Sequence, residues 1–239
     1  KLSHWLFHCS IYSSLSSEKR NLWDNRFLSL IHAIVVTSGS WYVLAAGMVS
    51  HNWSIMEVLE SSATSIGGWP LARFFMEIAC GYFLYDVIFM IASGHGTMID
   101  WLHHFLSVVA YLFCLHFDFA IYIPVALLTN EISTPFLHWS WMLQEHPQKK
   151  DSKQRYIIQA VFALLFILSR VIWNFAIVVM VILVLVLYAP RNPLVPYWAA
   201  CVETVFSVLF YIVQLIWGWR IIKKLLEAVT NVKEASKTN

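Results

Sequence analysis

Acidic and basic side chains recur where the chain is otherwise apolar, and these are the residues whose types could do chemistry. His103 and His104 stand side by side at the start of one apolar run; Asp86 lies in the run before it, Glu131 in the run after, and Arg170 in the next. A histidine beside a carboxylate can act as a general base or accept an acyl group, given the right geometry. His103, His104 and Glu131 are therefore the candidate catalytic residues. A protonated Glu131 could equally hydrogen-bond a carbonyl or an amide without any reaction. Glu77, His138 and Glu203 complete the set of ionisable groups in apolar segments. Such groups are expensive in a bilayer and usually face a bundle interior or a cavity.

Helical spacing supplies these residues with neighbours. Tyr82 and Asp86 form an i, i+4 pair, as do Arg170 and Asn174. Asn130, Thr134 and His138 recur at i, i+4, i+8, and Glu131 precedes Thr134 by three residues on the same broad face. Pro135 removes one backbone donor and is expected to kink its helix close to Glu131, freeing carbonyls for polar neighbours. Plainer readings stand beside these. A buried acid paired with Arg170 can simply fix helix register, and histidines at a span's end can be interfacial. Glu131 beside a proline can be structural glue, and Glu77 and Glu203 read first as structural.

The elements that must position these residues are membrane helices. Of the 239 residues, 59% are hydrophobic and 13% charged, about half the charged share of a soluble domain. The mean hydropathy is +0.64. A hydrocarbon core of roughly 30 Å needs about 20 apolar residues per helix. Runs near 27–48, 72–92, 101–117, 120–143, 156–188 and 197–219 meet that length. The fold class is thus all-α, a polytopic transmembrane bundle of about six spans. The fifth run is over-long for one upright helix and is expected to tilt, protrude or break near Trp173–Asn174. The stretch 49–71 reads as a loop ending in Gly67-Gly68-Trp69-Pro70, and Pro190, Pro193 and Pro196 punctuate the turn before the last span. Residues 1–20 form an N-terminal segment, 21–225 the membrane domain and 226–239 a polar tail. Because the chain begins at Lys1, a further N-terminal piece is expected to precede it.

Net charge of +2 gives no footprint for nucleic acid. Cys9, Cys80, Cys114 and Cys201 are scattered without a CxxC pair, so neither a disulfide framework nor a metal site is indicated, and no cofactor is implied. Basic residues cluster at Lys19, Arg20 and Arg26, at Lys149, Lys150, Lys153 and Arg155, and at Arg220, Lys223 and Lys224. Six spans put all three clusters on one side, cytosolic or matrix-like by the positive-inside rule, with both ends of this chain there and Lys149–Arg155 read most simply as a topology-setting loop. At about 1.5 Å per residue, Asp86 lies roughly 9 Å from that boundary, the histidine pair within roughly 5 Å, Glu131 roughly 18 Å and Arg170 about 21 Å. Arg170 is therefore the expected partner of Glu131, while Glu203 enters from the other side and stands apart. Together these residues predict a polar pocket that opens toward the basic face.

Several short pieces, in order, carry a resemblance. They are Trp23-Asp24-Asn25-Arg26 leading to Ser29-Leu30-Ile31-His32-Ala33, then Gly81-Tyr82-Phe83-Leu84-Tyr85-Asp86, His103-His104, Asn130-Glu131-Ile132-Ser133-Thr134-Pro135-Phe136 and Ser169-Arg170-Val171. Over about residues 20–225, the chain resembles the TLC domain family, and within it the TLC-domain-containing subgroup rather than the ceramide synthases. The resemblance implies a helical bundle around a cavity that takes an acyl chain. Ceramide synthases pair two histidines with a further His-Asp and an Asp to move an acyl group from acyl-CoA. Here His103 and His104 match the pair, but the later positions hold Asn130, Glu131 and Thr134.

The expected function is acyl-lipid binding or handling, in lipid homeostasis, sensing or transfer. The expected lipid-binding residues are Tyr82, Asp86, His103, His104, Asn130, Glu131, Thr134 and Arg170. An acyl-CoA-dependent acyltransferase is the alternative, and an accessory subunit of a larger membrane complex, holding a permanent lipid, is another. The expected partners are membrane lipids, with acyl-CoA, a larger complex or a second copy under the alternatives. The resemblance favours ER or Golgi membranes over the mitochondrial inner membrane or the plasma membrane.

Overall fold

The computed structural model describes residues 10–64, 68–191 and 196–235, with side chains left out at 10, 191 and 228–235. Cys9, Gly67 and Pro193 lie outside the described residues. After a one-turn helix α1 (Ser10–Ser14), the chain enters α2 (Ser17–Ser50). Ser16 caps α2, its side chain accepting from the Lys19 amide at 3.3 Å. At 34 residues α2 is about 50 Å long, so its polar first turns extend beyond a membrane core.

Residues 49–71 are not a bare loop: they contain a short helix, α3 (Ile55–Thr64), which buries Val58, Leu59, Ser62 and Ala63. Its end is tied to the bundle by the Ala120 amide, which donates to the Ser62 carbonyl at 2.9 Å. Helix α4 (Pro70–Ser93) starts on a proline, where the missing N–H costs nothing. It stops at Gly94, whose φ of +66° suits a left-handed cap. Three residues on, Thr97 and Asp100 form a reciprocal capping box that launches α5 (Met98–Phe117). Stop and start signals so close together make a tight turn, and this turn holds His95 beside the ends of α4 and α5.

The fourth segment departs from a simple helix. It runs as α6 (Tyr122–Leu128), a 3₁₀ stretch Thr129–Ser133, and α7 (Thr134–Glu145). Pro135 has no N–H for the Glu131 carbonyl four residues back, and the Thr134 amide bonds that carbonyl instead. The expected kink is thus a tightening into 3₁₀ geometry.

The fifth segment is one continuous helix from Lys153 to Leu187. Within it, α8 (Lys153–Phe166) passes through a π-helical stretch, Ile167–Trp173, into α9 (Asn174–Leu187). The irregularity ends at Trp173–Asn174 without splitting the span. Last comes α10 (Tyr197–Ala235), so most of the polar tail continues the helix.

Among the described residues, five helices are long and apolar enough to cross a membrane: α2, α4, α5, the α8–α9 helix and α10. The α6–α7 segment lies among them, and no described residue is in a strand. Large apolar side chains such as Ile34, Tyr42, Ile88, Phe105, Leu164 and Phe175 point outward on successive helices. A soluble monomer rarely exposes so much contiguous apolar surface, whereas lipid tails cover it. Inside, Val36, Met76, Ala79, Val125 and Leu128 pack between α2, α4 and α6. A second apolar cluster, with Leu44, Leu59, Ile123, Ile177 and Val184, fills the half away from the basic loops.

Candidate functional site

The basic-side ends of the helices are laced together. Lys19 Nζ meets Glu145 Oε2 at 2.7 Å, and Glu18 meets His95 Nε2 at 3.2 Å. Behind them a cavity of about 450 Å³ enters the bundle. Leu22, His95, Gly96, Arg220 and Lys224 lie at the end where the basic loops are, and Glu131, Ser133 and Arg170 line the deep end. Phe83, Phe89, Met90, Leu137, Phe162 and Phe166 supply apolar wall.

The deep end is a closed polar network. Arg170 Nη2 donates to Glu131 Oε1 at 3.2 Å and to Thr134 Oγ1 at 3.0 Å. Its Nε donates to Ser133 Oγ at 3.1 Å, and Nη1 reaches Gln214 Oε1 of α10 at 3.5 Å. Thr134 Oγ1 in turn donates to Glu131 Oε2 at 2.6 Å. Both backbone irregularities serve this network. Three residues per 3₁₀ turn stack Glu131 under Thr134, and the π stretch carries Arg170 toward both. Gly218 lets α10 come close, since a Cβ there would stand 3.0 Å from Val171 Cγ2.

Halfway to the mouth, Asp86 accepts from Asn25 Nδ2 at 2.9 Å and stands 3.1 Å from His104 Nδ1. That second approach is out of line for a hydrogen bond, so His104 Nδ1 is left without one among the described residues. His103 is buried against Phe210 and Trp217, ring centroids 5.0 and 4.9 Å away, and its Nδ1 also lacks a partner.

Seven of the eight expected residues, Tyr82, Asp86, His103, His104, Glu131, Thr134 and Arg170, line this one cavity. Asn130 does not. The 3₁₀ stretch breaks the expected i, i+4, i+8 register, and Asn130 Nδ2 donates instead to Asn174 Oδ1 at 2.9 Å. Asn174 is thereby directed to Asn130 rather than to Arg170. His138 does line the cavity, its Nε2 2.7 Å from Ser29 Oγ and its Nδ1 3.1 Å from Arg26 Nη1. Glu77 is exposed on the outer surface of α4, bonded to Arg73 at 3.1 Å. Glu203 is buried apart, beside Ser107, Tyr111 and Cys114 in a space of about 30 Å³.

Some residues were not singled out from the sequence. His32 is buried, stacked on Tyr82 at 3.8 Å, and neither ring nitrogen has a hydrogen-bond partner among the described residues. Its presence in an apolar run was the signal that could have flagged it. Arg26, read as topological, lies in the cavity wall with its guanidinium 4.5 Å over the Trp141 ring.

A bundle of membrane-spanning helices around a half-polar cavity defines an integral membrane protein of the all-α polytopic class. The TLC domain family matches residues 22–223, and the chain belongs to that family, a membrane family linked to lipid metabolism. It is similar to TLC domain-containing protein 4 of Xenopus tropicalis, 28% identical over 168 residues, 69% of this chain and 60% of that protein. TLC domain-containing protein 4-B of Danio rerio is 30% identical over 137 residues, 56% of this chain and 47% of the relative. The Homo sapiens TLC domain-containing protein 4 is 26% identical over 162 residues, 67% and 58% of the two chains. The chain thus spans between 47% and 60% of the length of these relatives.

Proposed function

We propose that the cavity binds the acyl portion of a membrane lipid, and that the protein acts in lipid handling in the membranes of the secretory pathway. The observation that carries this reading is the cavity itself. Its volume of about 450 Å³ falls within the roughly 300–1,000 Å³ of ligand sites, which combine apolar walls with a few placed polar groups. In this reading Leu137, Phe162 and Phe166 contact the chain, and His103 and His104 meet the carbonyl or amide at its head. Glu131 and Arg170 satisfy each other, so they shape the deep end. Native mass spectrometry of the full chain released from detergent is the test. The expected result is a one-to-one adduct of an acyl lipid, lost in Leu137→Trp, which fills the wall, while the fold stays intact. A chain that flies without lipid, or an adduct unaffected by the tryptophan, would contradict it.

A second reading rests on the Asp86–His104 approach of 3.1 Å. A small rotation of the imidazole would bring Nδ1 into line with Asp86, leaving Nε2 as a base toward the cavity. In an acyl transfer from acyl-CoA that base would take the proton of an acceptor hydroxyl or amine as it attacks the thioester carbonyl, and would return it to the CoA sulfur as the C–S bond breaks. Turnover of acyl-CoA by the purified chain, abolished in His104→Ala, is the expected result. Equal turnover by both proteins removes the reading.

A further inference from the structure

The charged groups lining the cavity divide into two sets. The acids are all engaged: Glu131 by Arg170, Asp86 by Asn25, and Asp100 by the Thr97 capping box. Arg170 is neutralised by Glu131. Arg26, Arg220 and Lys224 remain, and none of them is in an ion pair among the described residues. Arg26 spends one nitrogen on His138 and its face on Trp141, while its buried Nε has no hydrogen-bond partner among the described residues.

The aim of the α10 cations is selective. Trp217, Arg220, Ile221 and Lys224 all line the cavity, the i, i+3, i+4, i+7 stripe of one helix face. Lys223, the third cation of the same cluster, does not line it. A cluster that served only topology would not need this division, because orientation depends on the number of cations and not on their direction.

We propose that the mouth of the cavity is a phosphate site, in which Arg26, Arg220 and Lys224 hold the phosphate of an amphiphile whose acyl part extends inward. The guanidinium forks and the ammonium supply charge-assisted donors at the depth where lipid headgroups lie. The inference rests on the acyl-lipid reading above and adds the headgroup class. Two sources share this chemistry, a membrane phospholipid and an acyl-CoA.

Competition binding to the full chain in neutral detergent, at fixed ionic strength, tests it with dioleoyl phosphatidate, oleoyl-CoA and dioleoylglycerol. At least one phosphate-bearing ligand is expected to bind about tenfold or more tighter than dioleoylglycerol, and the tighter of the two names the source. The variant R220Q/K224Q is expected to erase that preference, and K223Q to preserve it. Arg220 and Lys224 are exposed, so their exchange spares the fold. Equal binding of all three ligands, or a loss in K223Q matching that in R220Q/K224Q, overturns the phosphate site and leaves the acyl reading standing. Failure of all three to bind overturns both.

Discussion

Three acids are buried in this bundle, Asp86, Glu131 and Glu203, and the last two have opposite surroundings. Glu131 has both oxygens engaged, by Arg170 and Thr134, within a network spanning the 3₁₀ stretch, α7, the π stretch and α10. Glu203 lies among Tyr111, Cys114, Phe206 and Phe210, and its Oε1 has no hydrogen-bond partner among the described residues. One acid is part of the architecture of the cavity. The other has a single side-chain hydrogen bond, with the Cys114 thiol, and no cationic partner among the described residues. In hydrocarbon, where water does not compete, a polar group's cost depends on whether its partners are built in. Burial alone therefore does not mark a structural role; the network does.

The largest effect is expected from breaking that network on one side. Glu131→Ala strands the Arg170 guanidinium, and thermal unfolding in a fixed detergent should show a loss of about 3–5 kcal/mol. Replacing both, as Glu131→Leu with Arg170→Met, should recover most of it, because no uncompensated charge is left. If the double variant is as unstable as the single one, the pair is not the coupled unit described here. The same double variant should widen the lipids retained by native mass spectrometry, since the deep end would then be apolar.

A smaller loss is expected at the neighbouring amide pair. Asn130 and Asn174 are both about 1% exposed and bond to each other between the 3₁₀ stretch and the start of α9. Asn130→Leu leaves Asn174 buried without its partner, at a cost of about 1–3 kcal/mol. Lipid binding should be unchanged, because Asn130 is not in the cavity wall. Reduced lipid retention at preserved stability would instead return Asn130 to the site.

These residues also show what could be read from sequence alone. The membrane bundle and the Glu131–Arg170 partnership were legible, because hydropathy fixes the segments and rise per residue fixes depth. The grouping of Asp86 with the histidine pair followed from the same arithmetic. What could not be read was rotation about the helix axes. Asn130 was placed on the lined face by α-helical spacing, and the 3₁₀ stretch at Thr129–Ser133 turns it away. The π stretch around Arg170 was equally hidden, since it depends on packing against α10 and on its bonds to Glu131, Ser133 and Thr134. Helix α3 was missed because its ten residues, Ile55–Thr64, are too few to span and contain polar groups. Its apolar face was nevertheless present at Val58, Leu59 and Ala63. The double use of Arg220 and Lys224 was visible in principle as a stripe with Trp217 and Ile221, but only the structure says which face of α10 looks inward.

The smallest effect is expected at Glu203, and it is the sharpest check on the contrast between the two acids. Glu203→Gln keeps the side chain's shape and replaces an oxygen with an amide, in a place where no ion pair has to be rebuilt. Stability should change by less than about 1 kcal/mol. Lipid retention should be that of the parent protein, because Glu203 lies outside the main cavity. Glu203→Leu goes further, exchanging the acid for an apolar group among Phe206, Phe210 and Leu127, and should be neutral or mildly stabilising. A loss like that of Glu131→Ala would mean that Glu203 is tied into a network of its own. The two halves of the bundle would then be built alike, and the polar cavity would no longer be distinguished by its paired acid.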